Sequence, residues 1–354
     1  MSEVKLRVVQ WATGNIGTRA LREVIRHPDL ELAGVLVYDP AKLGVDAGVL
    51  CGEAPVGITA TGDRAAIRAL RADCVLYMPR SFDLDDVVAL LESGTNIVTT
   101  RGELFGSGHR LGEAARARVV DACVRGGASA YATGSSPGFI SETLPFALLS
   151  LQRHVECVEI DEFADMSRRD SPHMLFEQMG FGKPLDSYSP KRAAYLVGEF
   201  SPSLALLAEA AGRPADEWEG TGEVAAARQT TTLVAGTLPA GSVAAQRTTV
   251  VGKSHGVEVV RFAANWYCTT DVEPAWELRP TGWRVRVRGD APFDVDLPFP
   301  VPLEDLGSFT PAYTANRPVN AIPYVCAAKP GILSGTDLPP ITPAGPRAYE
   351  GDHR

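Results

Sequence analysis

The stretch VVQWATGNIGTRALREVI, residues 8–25, decides how the first part of the chain is read. An apolar, β-branched segment runs through a glycine-bearing corner into a stretch with apolar residues at three- and four-residue steps. That order is strand, turn, helix. The corner, ATGNIG, departs from the three-glycine dinucleotide fingerprint: Ala12 stands where the first glycine belongs, leaving Gly14 and Gly17. A tight strand-to-helix corner without a ligand would look the same, so the surroundings must decide.

The surroundings are favourable. LRVVQW, LELAGVLVY, CVLYM, NIVTT and ASAYA read as strands, and IGTRALREVIRH, DLDDVVALLES, LGEAARARVVDACVRG and FISETLPFALLSL as helices between them. Strict alternation means βαβ units and a parallel sheet covered on both faces. The second strand ends at Asp39, 22 residues after Gly17. A pyrophosphate would then lie over the N–H groups of Thr13, Gly14, Asn15, Ile16 and Gly17, with Asp39 at the ribose hydroxyls. Asp39 in YDP also reads as a simple turn cap. If it reaches the ribose, its charge disfavours a 2′-phosphate and favours NAD; Lys42 would counter that and leave NADP open.

From about residue 153 the pattern changes. VECVEIDEFA, RQTTTLVAG, VAAQRTTVV, GVEVVRFAANWYC, WRVRVRG and FDVDLPF read as strands, with helices near 173–180 and 190–212. The expected architecture is α/β: an N-terminal Rossmann doubly wound parallel sheet over 1–150, then a second α+β domain with a mostly antiparallel sheet over 151–303. Residues 304–354 form a segment returning to the first domain plus a tail, and AYTANRPVNAIPYVCAA reads as a late helix despite its prolines.

The 354 residues fit two domains better than one. A net charge of −9 with both signs interspersed gives no basic face for a nucleic-acid backbone. Cys51, Cys74, Cys123, Cys157, Cys268 and Cys326 contain no C-x-x-C pair, and the histidines are dispersed. The pattern suits buried thiols in a reducing cytoplasm, with no metal site and no disulfide framework. The N-terminus has no apolar secretory core, and no apolar run suffices to span a bilayer. A cytoplasmic protein without nucleic-acid or membrane partners is expected.

VVQWATGNIG, GVDAGVLCG, GTNIVTTRGELF, YATGSSPGF and VNAIPYVCAAKPG together resemble the dihydrodipicolinate reductase-like superfamily. More closely, they resemble its 2,4-diaminopentanoate dehydrogenase and native amine dehydrogenase branch, from about residue 5 to 340 and most loosely between 170 and 300. The resemblance implies reversible NAD(P)-dependent chemistry at a C–N bond, an amine or carbonyl substrate with ammonia, and a homodimer through the second domain. It also implies that Glu103, matching a glutamate after the fifth strand, carries the chemistry. A base must take the ammonium proton and activate water against the iminium, and a carboxylate in a partly dry pocket with a raised pKa does both. Taken alone, Glu103 is as well explained as a helix-start acid favoured by the macrodipole. True dihydrodipicolinate reductases carry two histidines and a lysine where Ala164, Asp165 and Arg168 stand here, so reduction of dihydrodipicolinate is not expected.

Ligands of open parallel sheets bind outside the carboxyl ends of the strands. Three segments end there, counted as following the fourth, fifth and sixth strands: YMPRS, TTRGE and TGSSPGF. Met78, Pro79 and Arg80 would line the cofactor groove, Thr100 and Arg101 the nicotinamide ribose, and Gly134 and Ser135 the nicotinamide ring. GSSPGF reads equally as a serine-capped helix start with proline in its first turn. Asn320, polar within an apolar run, should have a buried partner, and a cofactor amide is one candidate. Phe139, Phe181 and Thr314 would shape an apolar pocket, with Asp165 and Arg168 facing the cleft. The aromatics are also ordinary core residues, and the charges also read as solvated or mutually paired. His255 reads as a turn residue. A C–O oxidoreductase acting on an alcohol or carbonyl, and a non-catalytic sensor of nicotinamide redox state, are the alternative functions.

Overall fold

The computed structural model describes residues 5–343. These form two compact units, one running through Phe139 and resuming at Thr310, the other Ile140–Phe309. The breaks therefore fall earlier and later than the expected 150/151 and 303/304.

The first unit begins with β1 (Leu6–Trp11), α1 (Asn15–Arg26) and β2 (Leu30–Leu36). Two short helices, α2 (Ala47–Cys51) and α3 (Arg64–Ala69), precede β3 (Cys74–Tyr77). Then come α4 (Leu84–Glu92), β4 (Asn96–Thr99), α5 (Glu113–Gly126) and β5 (Ser129–Ala132). The six-stranded sheet runs β2-β1-β3-β4-β5, completed by a C-terminal strand described below, and all its pairings are parallel. Alternation along β1 covers both faces. Val8 packs with Leu21, Val24 and Val35, whereas Val9 and Trp11 pack with Val75, Tyr77, Leu90 and Ile97. Burying each such side chain contributes about 1.5–3 kcal/mol. No strand intervenes between β2 and β3; residue 61 only bridges Leu36. The segments counted as following the fourth, fifth and sixth strands thus follow β3, β4 and β5.

The second unit holds α6 (Leu144–Leu149), β6 (Val155–Asp165), α7 (Pro190–Ala210), β7 (Glu217–Ala227), the hairpin β8 (Thr231–Leu233) and β9 (Gly236–Leu238), and β10 (Val243–Ser254). β11 (Val257–Tyr267), β12 (Val272–Glu273), β13 (Gly282–Gly289) and β14 (Phe293–Pro298) follow. Its seven-stranded sheet, β12-β7-β10-β11-β6-β13-β14, is antiparallel except where β11 meets β6. On β13, Trp283, Val285 and Val287 are buried, while Arg284, Arg286 and Arg288 on the other face pair with Asp294, Glu159 and Asp161 across the neighbouring strands.

The late helix α8 (Leu306–Cys326) forms with three prolines inside it, and β15 (Gly331–Leu333) then pairs with β5. Ala315, Val319, Ile322 and Val325 of α8 enter the core against β1 and β2. No helix of the described residues is long and apolar enough to cross a membrane.

Candidate functional site

Strand order reverses between β1 and β3, which makes the carboxyl end of that pair the switch point where open α/β sheets take ligands. The glycine corner lies at that end. Ala12 has φ 75°, the left-handed conformation for which the first fingerprint glycine is used. Its carbonyl accepts from Gln10 Nε2 at 2.8 Å, which helps hold the turn. Gly17 is required by contact, since a Cβ there would overlap the Ala12 carbonyl oxygen. Gly14 has an ordinary φ of −71°, caps α1 without a side-chain bond, and would place a Cβ where no protein atom lies within 4 Å. Nothing in the protein demands glycine at 14, whereas a close backbone ligand would. The uncapped N–H groups of α1 suit an anion. The corner fits a pyrophosphate.

Two side chains frame it. Asp39 caps the turn Pro40–Lys42 by accepting from Ala41 N–H at 3.0 Å, as the turn-cap reading expects, and it is exposed. Lys42 places Nζ 2.7 Å from the Thr13 carbonyl and 3.2 Å from Thr13 Oγ1. A cation therefore rests directly on the glycine corner, three residues from the acid.

The ends of β3, β4 and β5 supply the rest. Met78 N–H donates to the Trp11 carbonyl at 3.0 Å, extending the β1–β3 pairing. Pro79 is buried and Arg80 exposed. Thr99 Oγ1 accepts from Arg101 N–H at 3.0 Å, and half-buried Thr100 lies between them. Arg101 grips Glu103 through two hydrogen bonds, Nη2 to Oε1 at 2.6 Å and Nε to Oε2 at 3.1 Å. Its Nη1 donates to the Arg80 carbonyl at 2.9 Å, which ties the loops after β3 and β4 together. Glu103 lies in the short turn Gly102–Leu104 with about a quarter of its side chain exposed, 23%. Its carboxylate is thus held in a fixed orientation by a charge-assisted fork.

After β5, Ser136, Pro137 and Gly138 are non-helical, Phe139 N–H closes a wide turn onto the Gly134 carbonyl at 2.9 Å, and the helix expected from Phe139 runs as a wide-wound stretch to Thr143 before continuing as α6. Gly138, at φ 121°, is what allows the turn, because few side chains tolerate that conformation. Ser135 and Thr314 hydroxyls meet at 2.6 Å, joining the turn to α8. Arg317 donates to Thr133 Oγ1 at 3.0 Å and lies 6.0 Å from the Phe139 ring centroid. Arg317 was not among the sequence expectations; its only signal is a lone cation in TANRPVN, one helical turn from both Thr314 and Asn320. Asn320 is half-buried, and its expected buried partner is not found among the described residues, where its amide has no hydrogen bond.

Thr13–Gly17, Asp39, Met78–Arg80, Thr100–Glu103, Gly134, Ser135, Phe139, Thr314 and Asn320 therefore all belong to the first unit. Asp165, Arg168 and Phe181 belong to the second. Asp165 ends β6 and caps a turn, accepting from Ser167 N–H at 2.8 Å, and Arg168 is exposed. Phe181 is completely buried with Leu175, Leu233 and Leu238, so it packs the core, the alternative its residue type carries, and lines no open pocket. His255 occupies the β10–β11 turn at φ 51°.

A parallel sheet with a glycine corner at its switch point, followed by an α+β unit, defines a Rossmann-type dehydrogenase architecture. The 2,4-diaminopentanoate dehydrogenase C-terminal domain family matches residues 139–354. An amine dehydrogenase of Streptomyces virginiae is 30% identical over 349 residues, covering 94% of this chain and 96% of that protein. The chain belongs to the 2,4-diaminopentanoate dehydrogenase family. Its fold matches the amine dehydrogenase structure from Mycobacterium smegmatis with a TM-score of 0.74 at 17% identity, over 95% of this chain and 97% of that one. A scyllo-inositol dehydrogenase from Lactobacillus casei, solved with bound NAD(H) and scyllo-inositol, shares the fold at a TM-score of 0.51 and 10% identity, over 82% and 76% of the two chains.

Proposed function

We propose that this oxidoreductase is an NAD(P)-dependent amine dehydrogenase, converting a small amine and water to a ketone or aldehyde plus ammonium, and the reverse. The observation that carries the reading is the near full-length relative, an amine dehydrogenase 30% identical to this chain. The nicotinamide cofactor supplies the two-electron exchange at the substrate carbon; water supplies the carbonyl oxygen and ammonium leaves. The N–H groups of Gly14 to Gly17 hold the pyrophosphate, Asp39 meets the ribose and favours NAD, and Asn320 offers its free amide to the cofactor.

Glu103 is the base in this reading. Arg101 donates one hydrogen bond to each of its oxygens, and each oxygen keeps a second lone pair with which the carboxylate takes a proton from the ammonium or from the attacking water. Arg101 is then a positioning residue, keeping Glu103 in line between turnovers. Glu103 follows β4, on the side of the sheet where Thr100 and Gly134 would flank the nicotinamide. We assign the protein to the cytoplasm and propose a homodimer through the seven-stranded sheet, which light scattering would read.

The test is oxidation of NADH and NADPH with a panel of aldehydes and ketones, with and without ammonium. Ammonium-dependent turnover is expected, with none on dihydrodipicolinate. Ammonium-independent turnover would make the protein a C–O oxidoreductase, and tight cofactor binding without turnover would make it a sensor.

A further inference from the structure

In VVQW a glutamine interrupts an otherwise apolar strand. Gln10 lies on β1, between β2 and β3, and is completely buried. A buried amide is unfavourable unless its donors and its acceptor are paired. Gln10 pairs on one side only. Its Nε2 donates to the Ala12 carbonyl at 2.8 Å, whereas Oε1 has no hydrogen-bond partner among the described residues. Packing does not account for this residue, because an aliphatic chain would fill the same place without an orphaned oxygen. What distinguishes glutamine here is the bond to Ala12.

That bond decides which way the glycine corner faces. Ala12 N–H extends the β1–β2 pairing by donating to the Leu36 carbonyl at 2.8 Å, and at φ 75° the chain then leaves the strand. In a planar trans peptide, the C=O of one residue and the N–H of the next point in opposite directions. Holding the Ala12 carbonyl on Gln10 therefore turns the Thr13 N–H away from Gln10. The next peptide is held in the same way: the Thr13 carbonyl accepts from Thr18 Oγ1 at 3.0 Å and from Lys42 Nζ at 2.7 Å, which orients the Gly14 N–H. The Thr13 and Gly14 N–H groups have no protein acceptor among the described residues. Gly17 completes the arrangement, since a Cβ there would overlap the Ala12 oxygen and stand 3.0 Å from Gln10 Nε2. Amide, carbonyl and helix start are thus packed in fixed mutual contact.

We propose that Gln10 is a positioning residue for the dinucleotide: buried behind the corner, it anchors the Ala12 carbonyl and so aims the Thr13 N–H at the pyrophosphate. The inference rests on the cofactor reading above. It differs from a purely conformational role, in which the Gln10 bond would only offset the strain that a left-handed φ imposes on alanine. Aim and strain are separable, because glycine at residue 12 removes the strain and leaves the carbonyl to be aimed.

Calorimetric titration of the whole protein with NADH and with ADP-ribose, alongside thermal melting, tests the proposal without turnover. Gln10→Met keeps the length and burial of the side chain and removes the amide. NADH and ADP-ribose share the pyrophosphate, so both should bind about 10-fold more weakly. The melting temperature should change little, because the orphaned oxygen leaves together with the hydrogen bond. Ala12→Gly alone should keep NADH affinity, and combined with Gln10→Met it should leave affinity as weak as in Gln10→Met. Gln10→Asn draws the amide back by one methylene and carries the test where Gln10→Met does not fold. Unchanged affinity in either folded Gln10 variant, a loss confined to NADH, or full rescue by Ala12→Gly would overturn the proposal and leave the cofactor reading standing. A wild-type protein that binds neither NADH nor ADP-ribose would overturn both.

Discussion

Replacing Gly14 with leucine adds four carbon atoms beside the N-terminus of α1, in a direction where no protein atom lies within 4 Å of the first of them. The backbone there, φ −71° and ψ −169°, is available to any residue. The folded protein should therefore lose only the helix-capping preference of glycine over leucine, about 1 kcal/mol. The bound dinucleotide fares differently. Charge-assisted hydrogen bonds from backbone N–H groups contribute about 1.5–3 kcal/mol each. Displacing a pyrophosphate from two of them removes about 3–6 kcal/mol, or about 10²–10⁴-fold in Kd. Gly17→Ala is the control with the opposite signature. Its methyl collides with the Ala12 carbonyl oxygen, a backbone atom that cannot rotate away. Overpacking of about 1–3 kcal/mol should appear directly as lost folding stability. Calorimetric titration with NADH, together with thermal melting, reads both quantities. NADH affinity within a few-fold of wild type in a folded Gly14→Leu protein would refute the assignment of the corner to a dinucleotide.

Glu103→Gln should lower ammonium-dependent kcat by about 10²–10⁴-fold with cofactor affinity nearly unchanged; near-normal turnover would return Glu103 to a purely structural role as the partner of Arg101. Asp39→Ser should move the ratio of kcat/KM values toward NADP by removing like-charge repulsion, and a wild-type protein that already strongly prefers NADP would show that Lys42, resting on Thr13, outweighs the acid. Thr314→Val deletes one side of the 2.6 Å contact with Ser135 and should cost about 1–2 kcal/mol by leaving the nearly buried serine hydroxyl without that partner. The double variant with Ser135→Ala should lose less than the sum of the single changes, and strict additivity would mean the two hydroxyls do not support each other.

The nucleotide-type unit was legible because its signals are local. Period-3.6 stretches mark α1, α4 and α5, β-branched runs mark the buried strands, and an acid follows the second strand, three residues after its end. Where legibility failed, the deciding contact was distant. β7, eleven residues long, is absent from the sequence reading because EWEGTGEVAAA is rich in glycine and glutamate, both poor strand formers. Those glycines are there for close approach. At Gly220 a Cβ would come within 2.7 Å of Val197 on α7, and at Gly222 it would collide with Tyr188. RQTTTLVAG reads as one strand, but the chain ends β7 at Ala227 and then turns into the short hairpin of β8 (Thr231–Leu233) and β9 (Gly236–Leu238). In the site, Glu103 and Arg101 were each named, yet the fork between them was not, since two residues of opposite charge at i and i+2 say nothing about side-chain geometry. Asp39 shows the reverse case: its turn-capping role was readable from YDP and is present, and that role still leaves a carboxylate beside Lys42.

The segment after residue 310 explains why the first unit could not be read as 1–150 alone. β5 ends the N-terminal run of strands, so without β15 it would be an unpaired parallel edge. Val319, Ile322 and Val325 of α8 fill the face of the sheet on which α1 packs, and Ser129 Oγ donates to the Lys329 carbonyl at 2.9 Å as the chain turns into β15. The same helix places Thr314 on Ser135 and Arg317 on Thr133. Core, sheet edge and candidate site thus depend together on a helix nearly two hundred residues beyond β5. Prolines at 311, 318 and 323 would end most helices. Here the burial of Ala315, Val319, Ile322 and Val325 along one side offsets the lost backbone bonds, tertiary packing overriding propensity. Residues that position a ligand turn at one end of the sheet are therefore held by the same packing that makes the unit fold, and the polar groups on α8 inherit their placement from its apolar face.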